Sequence, residues 1–338
     1  MAELDPHRPT LVDRLAPIVV IAALAAVPPI ASALDDPFLI KVATRVAVFA
    51  IAAIGLNLVV GFAGLVSLLH AGLFGIGGYV VGIAAWHEFN AEPMMLGPFA
   101  WDGTANLMVT LPLAALVAGL AALVTGVISL RTSGPYFLMI TLAFDQMLYY
   151  GAVALQKYGG EDGLQILSSI TLGSVDVSER TRFFYLTLAI LAATLILLGR
   201  VVTSRFGIVL RASAENERRV TVTGIPPYPY RLTAFVISGV VCGIAGALLA
   251  AGQQFVSPAD MSWVRSGDLV VMAVLGGLAT LWGPVVGAAA FVVLELVLSS
   301  WTQHWQLAFG AIIVVVVLTL RGGLADLVSL MTTRRDAR

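Results

Sequence analysis

Charge is scarce in this chain. Only 12% of its 338 residues are Asp, Glu, Lys or Arg, about half the usual share of a soluble domain. With 59% apolar residues and a mean hydropathy of +0.94, the composition excludes an ordinary water-soluble fold and specifies an all-α polytopic membrane protein. Lysine is rarest of the charged residues: Lys41 and Lys157 stand alone, and neither lies in a GxxxxGK[ST] setting, which excludes a P-loop ATPase within these residues. The single cysteine, Cys242, rules out an internal disulfide and reads as a small packing residue beside Gly239, Gly243 and Gly246. A formal net charge of −1 gives no reason to expect nucleic acid as a partner. His7, His87 and His304 fall in or next to expected loops with no ligand spacing, so no metal site is expected. No Ser/His/Asp order, paired-carboxylate spacing or phosphate cradle emerges, so the chain reads as no enzyme.

What is present is a series of apolar segments long enough to cross a core of about 30 Å. They fall near 15–34, 39–60, 64–86, 107–130, 135–155, 182–202, 231–255 and 305–320. Glu3, Asp5 and Asp13 spoil a basic leader, and Pro28-Pro29 interrupt the first apolar run, so the first span is expected to be retained. Residues 268–298 form a further apolar stretch split by Trp282-Gly283-Pro284. Read as a tight hairpin of short helices, they give about ten spans; an eight-span chain with a re-entrant element is the alternative. With ten spans and an inward N-terminus, Arg8, Arg14, Arg131, Arg200, Arg205, Arg211, Arg218, Arg219, Arg231, Arg321, Arg334, Arg335 and Arg338 all lie inside, which is 13 of the 19 basic residues. The positive-inside rule then places both termini in the cytoplasm.

Residues 203–230 (TSRFGIVLRASAENERRVTVTGIPPYPY) are a polar, helix-forming insert in this apolar chain. Ser213 is the expected N-cap of a surface helix over 214–223. Glu215 stands four residues before Arg219, and Arg211 four before Glu215, a spacing that supports ion pairs. Gly224 supplies a left-handed C′ position, with Pro226-Pro227 beyond. On the opposite side, loops 87–106 and 156–181 are acidic and turn-rich, the second carrying Gly159-Gly-Glu-Asp-Gly163. They read either as plain solvated loops or as a contact for a substrate-delivering protein.

The stretch from Gly55 to Gly82 is dense in glycine, with seven between Gly61 and Gly82. Such density predicts either close helix packing, as the pairs Gly78/Gly82, Gly239/Gly243 and Gly283/Gly287 also suggest, or a broken helix. Membranes tolerate a break only where the backbone is buried in protein or lines a cavity. Asn57, Ser67 and His70 in the same stretch favour a broken, pathway-lining helix. Asp145, within Thr141-Leu-Ala-Phe-Asp-Gln-Met, is an acid at mid-membrane that should face a cavity or a partner. Asp268 and Glu295, nearer helix ends, read as structural.

Four blocks together carry a resemblance over nearly the whole length: Gly55–Tyr79 (GLNLVVGFAGLVSLLHAGLFGIGGY), Tyr136–Gln146 with Gly159–Leu164 (YFLMITLAFDQ, GGEDGL), Phe206–Gly246, and Gly276–Gly287 (GGLATLWGPVVG). The chain resembles the LivM-type permease subunits of bacterial branched-chain amino-acid ABC importers. The resemblance implies one transmembrane permease domain, 1–338, in the bacterial inner membrane. It also implies a second permease subunit forming a heterodimer, two cytoplasmic ATPase subunits that bind ATP and Mg, and a periplasmic substrate-binding protein. By analogy, Glu215–Gly224 would be gripped by an ATPase, with Arg211, Glu215, Asn216, Glu217, Arg218, Arg219 and Gly224 as coupling residues. Asn57, Ser67, His70, Thr141 and Asp145 would line the pathway, and Glu161 and Asp162 would meet the binding protein. Related permeases handle urea, short amides or aromatic acids. The rival reading is an ion-coupled secondary transporter, for which Asp145 and His70 offer a thin set of deep titratable groups; it leaves the polar insert unexplained.

Overall fold

The computed structural model describes residues 11–33, 35–96, 99–173, 175–301, 304–319 and 323–324. The expectations for Glu3, Asp5, Arg8, Arg321 and the residues from 325 onward lie outside that range. The molecule is mainly helical. In chain order the helices are α1 (Leu11–Ala25), α2 (Val27–Ala33), α3 (Pro37–Asn57), α4 (His70–Asn90), α5 (Leu107–Ser129), α6 (Pro135–Val153) and α7 (Arg180–Thr203). They continue with α8 (Arg205–Glu215), α9 (Glu217–Val222), α10 (Pro227–Gln253), α11 (Trp263–Gly276), α12 (Gly283–Trp301) and α13 (Trp305–Thr319). Five of these, with α3 counted through a π-helical turn to Phe62, are long and apolar enough to cross a membrane: α3, α5, α7, α10 and α12.

Burial sorts these helices into a centre and a rim. The most apolar window of α3 is 89% buried and that of α10 is 72%, whereas α5 and α7 reach 33% each. A helix that is apolar all round and buried all round is a core helix, and one with an exposed aliphatic face meets lipid or another chain. Leu116, Leu120, Leu123, Val124 and Ile128 give α5 such a face. The centre is knit by glycine. A Cβ on Gly77 of α4 would strike the carbonyl of Gly243 on α10, and one on Gly246 of α10 would strike the carbonyl of Phe74 on α4. Gly239 and Gly243 also seat Ala122 and Ala118 of α5. Backbones approach this closely only where side chains are missing.

The glycine-rich stretch Gly55–Gly82 is broken, as expected, and the break lies in its first half. Residues 70–90 form one continuous helix whose glycines serve packing, and the interruption lies upstream. There α3 passes into the π turn Leu58–Phe62, and residues 63–69 have no helical structure. Gly64 takes a left-handed φ of +67° there, close against Ala214 of α8. The first apolar run is two short helices, with the Pro28-Pro29 pair in the second.

Connections gather at two ends. One end holds residues 58–69, 130–134, 203–226 and 277–282. The other holds 91–106, 154–179 and 254–262, and is not a set of free loops. Short antiparallel pairs form between β1 (Met94–Leu96) and β2 (Phe99–Trp101), between β3 (Leu164–Gln165) and β6 (Phe255–Val256), and between β4 (Thr171–Leu172) and β5 (Val175–Asp176). These pieces are the only departure from an all-α fold among the described residues. His87, expected in or next to a loop, lies buried in the last turn of α4. It bonds the carbonyl of Glu92 through Nδ1 (2.6 Å) and the hydroxyl of Tyr158 through Nε2 (2.9 Å). Next to it, Lys157 bridges to Glu92 (3.1 Å) over the Trp86 ring. Glu161 and Asp162 stay exposed on the turn that follows.

Candidate functional site

A helix that starts inside a protein leaves its first N–H groups without intrahelical partners, and these need acceptors from elsewhere. At the start of α4 they come from other helices. Ser266 of α11 accepts from the Ala71 amide (3.0 Å) while its own hydroxyl donates to the Leu68 carbonyl (2.6 Å). Asp145 of α6 accepts from the Gly72 amide through Oδ1 (2.8 Å). Thr141, one turn earlier on α6, accepts from the Leu68 amide (3.3 Å). A carboxyl at a helix N-terminus also meets the positive end of the helix dipole. Asp145 lies ten residues into α6, about 15 Å along its axis; in the irregular segment 63–69, Ala63, Ser67 and Leu69 are buried while Gly64 and Val66 are exposed.

The other sequence-predicted residues meet the same junction. Asn57, at the end of α3, donates to the Thr280 carbonyl (2.7 Å) and accepts from the Ala279 amide (3.2 Å), fastening the π turn to the 277–282 connection. The Ser67 hydroxyl accepts from the Leu69 amide (3.3 Å). The Ser238 hydroxyl of α10 donates to the Gly55 carbonyl (2.6 Å), so its free lone pair accepts from His70 Nε2 (2.8 Å). That fixes the imidazole with its proton on Nε2 and leaves Nδ1 bare. Asn57, Ser67, His70, Thr141 and Asp145 are all buried, at 0–1% exposure. All five thus lie on, or bond to, the backbone between Asn57 and Gly72. Two buried atoms there keep unused capacity: His70 Nδ1 and Asp145 Oδ2.

Sequence reasoning missed Ser238 and Ser266, the two hydroxyls that join this junction to α10 and α11. Serine in an apolar helix carries little signal of its own, because it can always bond back to its own helix. It also missed how the structural acids are matched. Arg45 Nη2 reaches both oxygens of Glu295 (2.8 and 2.9 Å), and Arg265 reaches Asp260 (3.2 Å) and Asp268 (3.4 Å). Both guanidinium groups sit over the Phe49 ring. Charges inside apolar helices demand partners, so the signal was there, though the pairing was not.

The polar insert departs from its expected form. There is no single helix over 214–223. α8 runs to Glu215, Asn216 is extended (φ −157°, ψ 99°), and α9 starts at Glu217. Asn216, not Ser213, is the N-cap, its side chain accepting from the Arg219 amide (3.0 Å). Ser213 is buried and donates back to the Leu210 carbonyl (2.7 Å). The break cancels the four-residue register across 216. Glu215 and Arg219 form no ion pair, and Arg211 donates to the carbonyls of Gly207 (3.4 Å) and Val202 (3.3 Å) instead of to Glu215. Glu217 pairs with Arg231 at the base of α10 (2.7 Å). Gly224 does take the left-handed conformation (φ +85°). Arg218, Arg219 and Val222 face outward, Val222 at 88% exposure. The described residues contain no cluster of metal-ligating side chains.

Comparison with known proteins gives this geometry its context. Residues 38–318 match the family model described as branched-chain amino acid transport system / permease component. The chain is 27% identical to the high-affinity branched-chain amino acid transport system permease protein LivM of Salmonella typhimurium, over 84% of this chain and 69% of that protein. It is 26% identical to LivM of Escherichia coli with the same coverage. A probable LivH permease of Methanocaldococcus jannaschii is 34% identical over 32% of each chain. No solved structure matches. The chain is a multi-pass helical membrane protein and belongs to the branched-chain amino acid transport permease family.

Proposed function

We propose that this chain is a permease subunit of a bacterial ABC importer for branched-chain amino acids or related small amino acids and amides, driven by ATP hydrolysis in partner subunits. The observation that carries the reading is the polar α8–α9 unit, an exposed, capped structure on an apolar protein whose sequence has no P-loop. An energy source outside these residues needs a handle, and this is the only polar helical element between two long apolar helices among the described residues.

The chain would sit in the inner membrane with about ten spans and both termini in the cytoplasm, as one domain over 1–338. The 203–230 segment would then face the cytoplasm, and loops 87–106 and 156–181 the periplasm. Arg218, Arg219 and Glu215 would present the docking face to an ATPase subunit, while Arg211, Asn216, Glu217 and Gly224 hold its shape. Two such subunits would bind ATP and Mg, and this chain would bind neither. A second permease subunit would complete the pathway as a heterodimer, and Glu161 and Asp162 would meet a periplasmic binding protein. The junction of Asn57, Ser67, His70, Thr141 and Asp145 would be the part of this chain that rearranges as access switches from one side to the other.

Purification from native membranes tests the reading. A second permease-like chain and P-loop proteins are expected to co-purify, and uptake should stop when ATP is withdrawn while the ion gradient persists. Uptake by the isolated chain in liposomes under a proton gradient would favour a secondary transporter instead.

A further inference from the structure

A lever moves its load only if its joint is stiff, and α9 is a short lever. It is joined to α8 by the single extended residue Asn216 and to α10 by residues 223–226. Neither connection fixes its angle. Val220 is the buried residue of α9, and one polar side chain ties α9 to both neighbouring helices. The Arg231 guanidinium, at 15% exposure, donates through Nη1 to Glu217, the first residue of α9 (2.7 Å), and through Nη2 to the Ser213 carbonyl in the last turn of α8 (2.7 Å). The planar fork of arginine suits such a double contact, which the point charge of lysine does not reproduce.

The same face of α10 leads inward. Ser238 stands seven residues beyond Arg231, two helical turns and about 10 Å along the axis. It carries the bonds to the Gly55 carbonyl and to His70 described above. Phe235, one turn beyond Arg231, packs edge-on against the His70 ring. Cys242, one turn beyond Ser238, touches the Ala52 carbonyl (3.5 Å). A single stripe of α10 therefore runs from the α8–α9 unit to the end of α3 and the start of α4. The glycine contacts between α10 and α4 leave little room for slip.

We infer that Arg231 is a positioning residue that latches α9 to α10, so that displacement of α9 turns the 231–235–238–242 stripe and is delivered to the irregular segment 63–69. Glu217 is then an internal partner of the latch and not a contact for the ATPase. The inference rests on the proposed importer function.

Its test uses the purified complex with its ATPase and permease partners in liposomes, reading solute moved per ATP consumed. That ratio is insensitive to the amount of folded complex, so a purely structural role leaves it unchanged. Glu217→Gln and Arg231→Met should each lower it at least five-fold. Arg231→Lys should keep about half of the wild-type ratio, and the exchange Glu217→Arg with Arg231→Glu should recover part of what Glu217→Arg alone loses, the ion pair returning without the bond to the Ser213 carbonyl. Should Arg231→Met fail to assemble, Glu217→Gln decides, since Glu217 is half exposed. A wild-type ratio in Glu217→Gln, or an exchange no better than the worse single variant, overturns the latch. Uptake by the wild-type complex that is indifferent to ATP overturns the importer reading, and the latch with it.

Discussion

The acid at position 145 shows how one residue is bound to its setting. Its value lies less in charge than in a single acceptor oxygen aimed at the Gly72 amide. Asp145→Asn keeps an acceptor there, its amide nitrogen taking the place of the unpartnered Oδ2. Asp145→Leu leaves a buried N–H unpaired, which costs about 1–3 kcal/mol. The expected order of stability in detergent is wild type, then Asn, then Leu, read as unfolding midpoints. A Leu variant as stable as Asn would show that the α4 start is capped some other way. The junction residues were legible in the sequence as polar groups out of place in apolar helices, and Asn57, Ser67, His70, Thr141 and Asp145 do converge. Their partners were not legible, because Ser238 and Ser266 lie some 170–200 positions away along the chain from the groups they meet, and no local pattern spans such a distance.

At the level of elements, glycine has two different meanings here. Gly246 lies against the Phe74 backbone, whereas Gly151 in α6 has nothing within 4 Å of where a Cβ would be. Gly246→Ala should therefore overpack the α4–α10 contact and lose about 1–3 kcal/mol or more. Gly151→Ala should be neutral or gain slightly from helix propensity. Thermal unfolding of the two variants side by side checks this; equal midpoints would contradict the close packing. Spacing alone could not separate the two meanings, nor place the break. The expected break does fall inside the glycine-rich stretch 55–82, at 58–69, where Asn57 and Gly64 meet groups from the 277–282 connection and α8, while the glycines from Gly72 to Gly82 serve packing in a continuous α4. In the polar insert it is the cap that differs from expectation. Ser213 and Asn216 are both good caps by composition, and burial of Ser213 against its own helix left the role to Asn216.

Across the whole molecule, Arg45 on α3 and Glu295 on α12 tie a central helix to a peripheral one. Their side chains are 31% and 19% exposed, so solvent screening discounts the pair, but removing one partner still strands a charge among apolar helices. Arg45→Met alone is expected to destabilise by about 1–3 kcal/mol, below the full cost of breaking a buried pair. The double variant Arg45→Met with Glu295→Leu should recover part of that loss, because no charge is left over. A thermal-stability double-mutant cycle measures the difference; strict additivity would mean the two residues do not interact.

By itself the sequence determined that this is a multi-pass membrane protein and where most of its helices lie, since hydropathy and terminal Gly, Pro and Asn signals act within a few residues. It also carried the family resemblance and the scarcity of catalytic or nucleotide-binding groups. Only the tertiary structure decided which polar residues meet, where α3 gives way to irregular backbone, and that Glu217 pairs with Arg231. Those outcomes depend on backbones that approach through glycine and on buried donors that must find acceptors, and both are settled between helices distant in the chain.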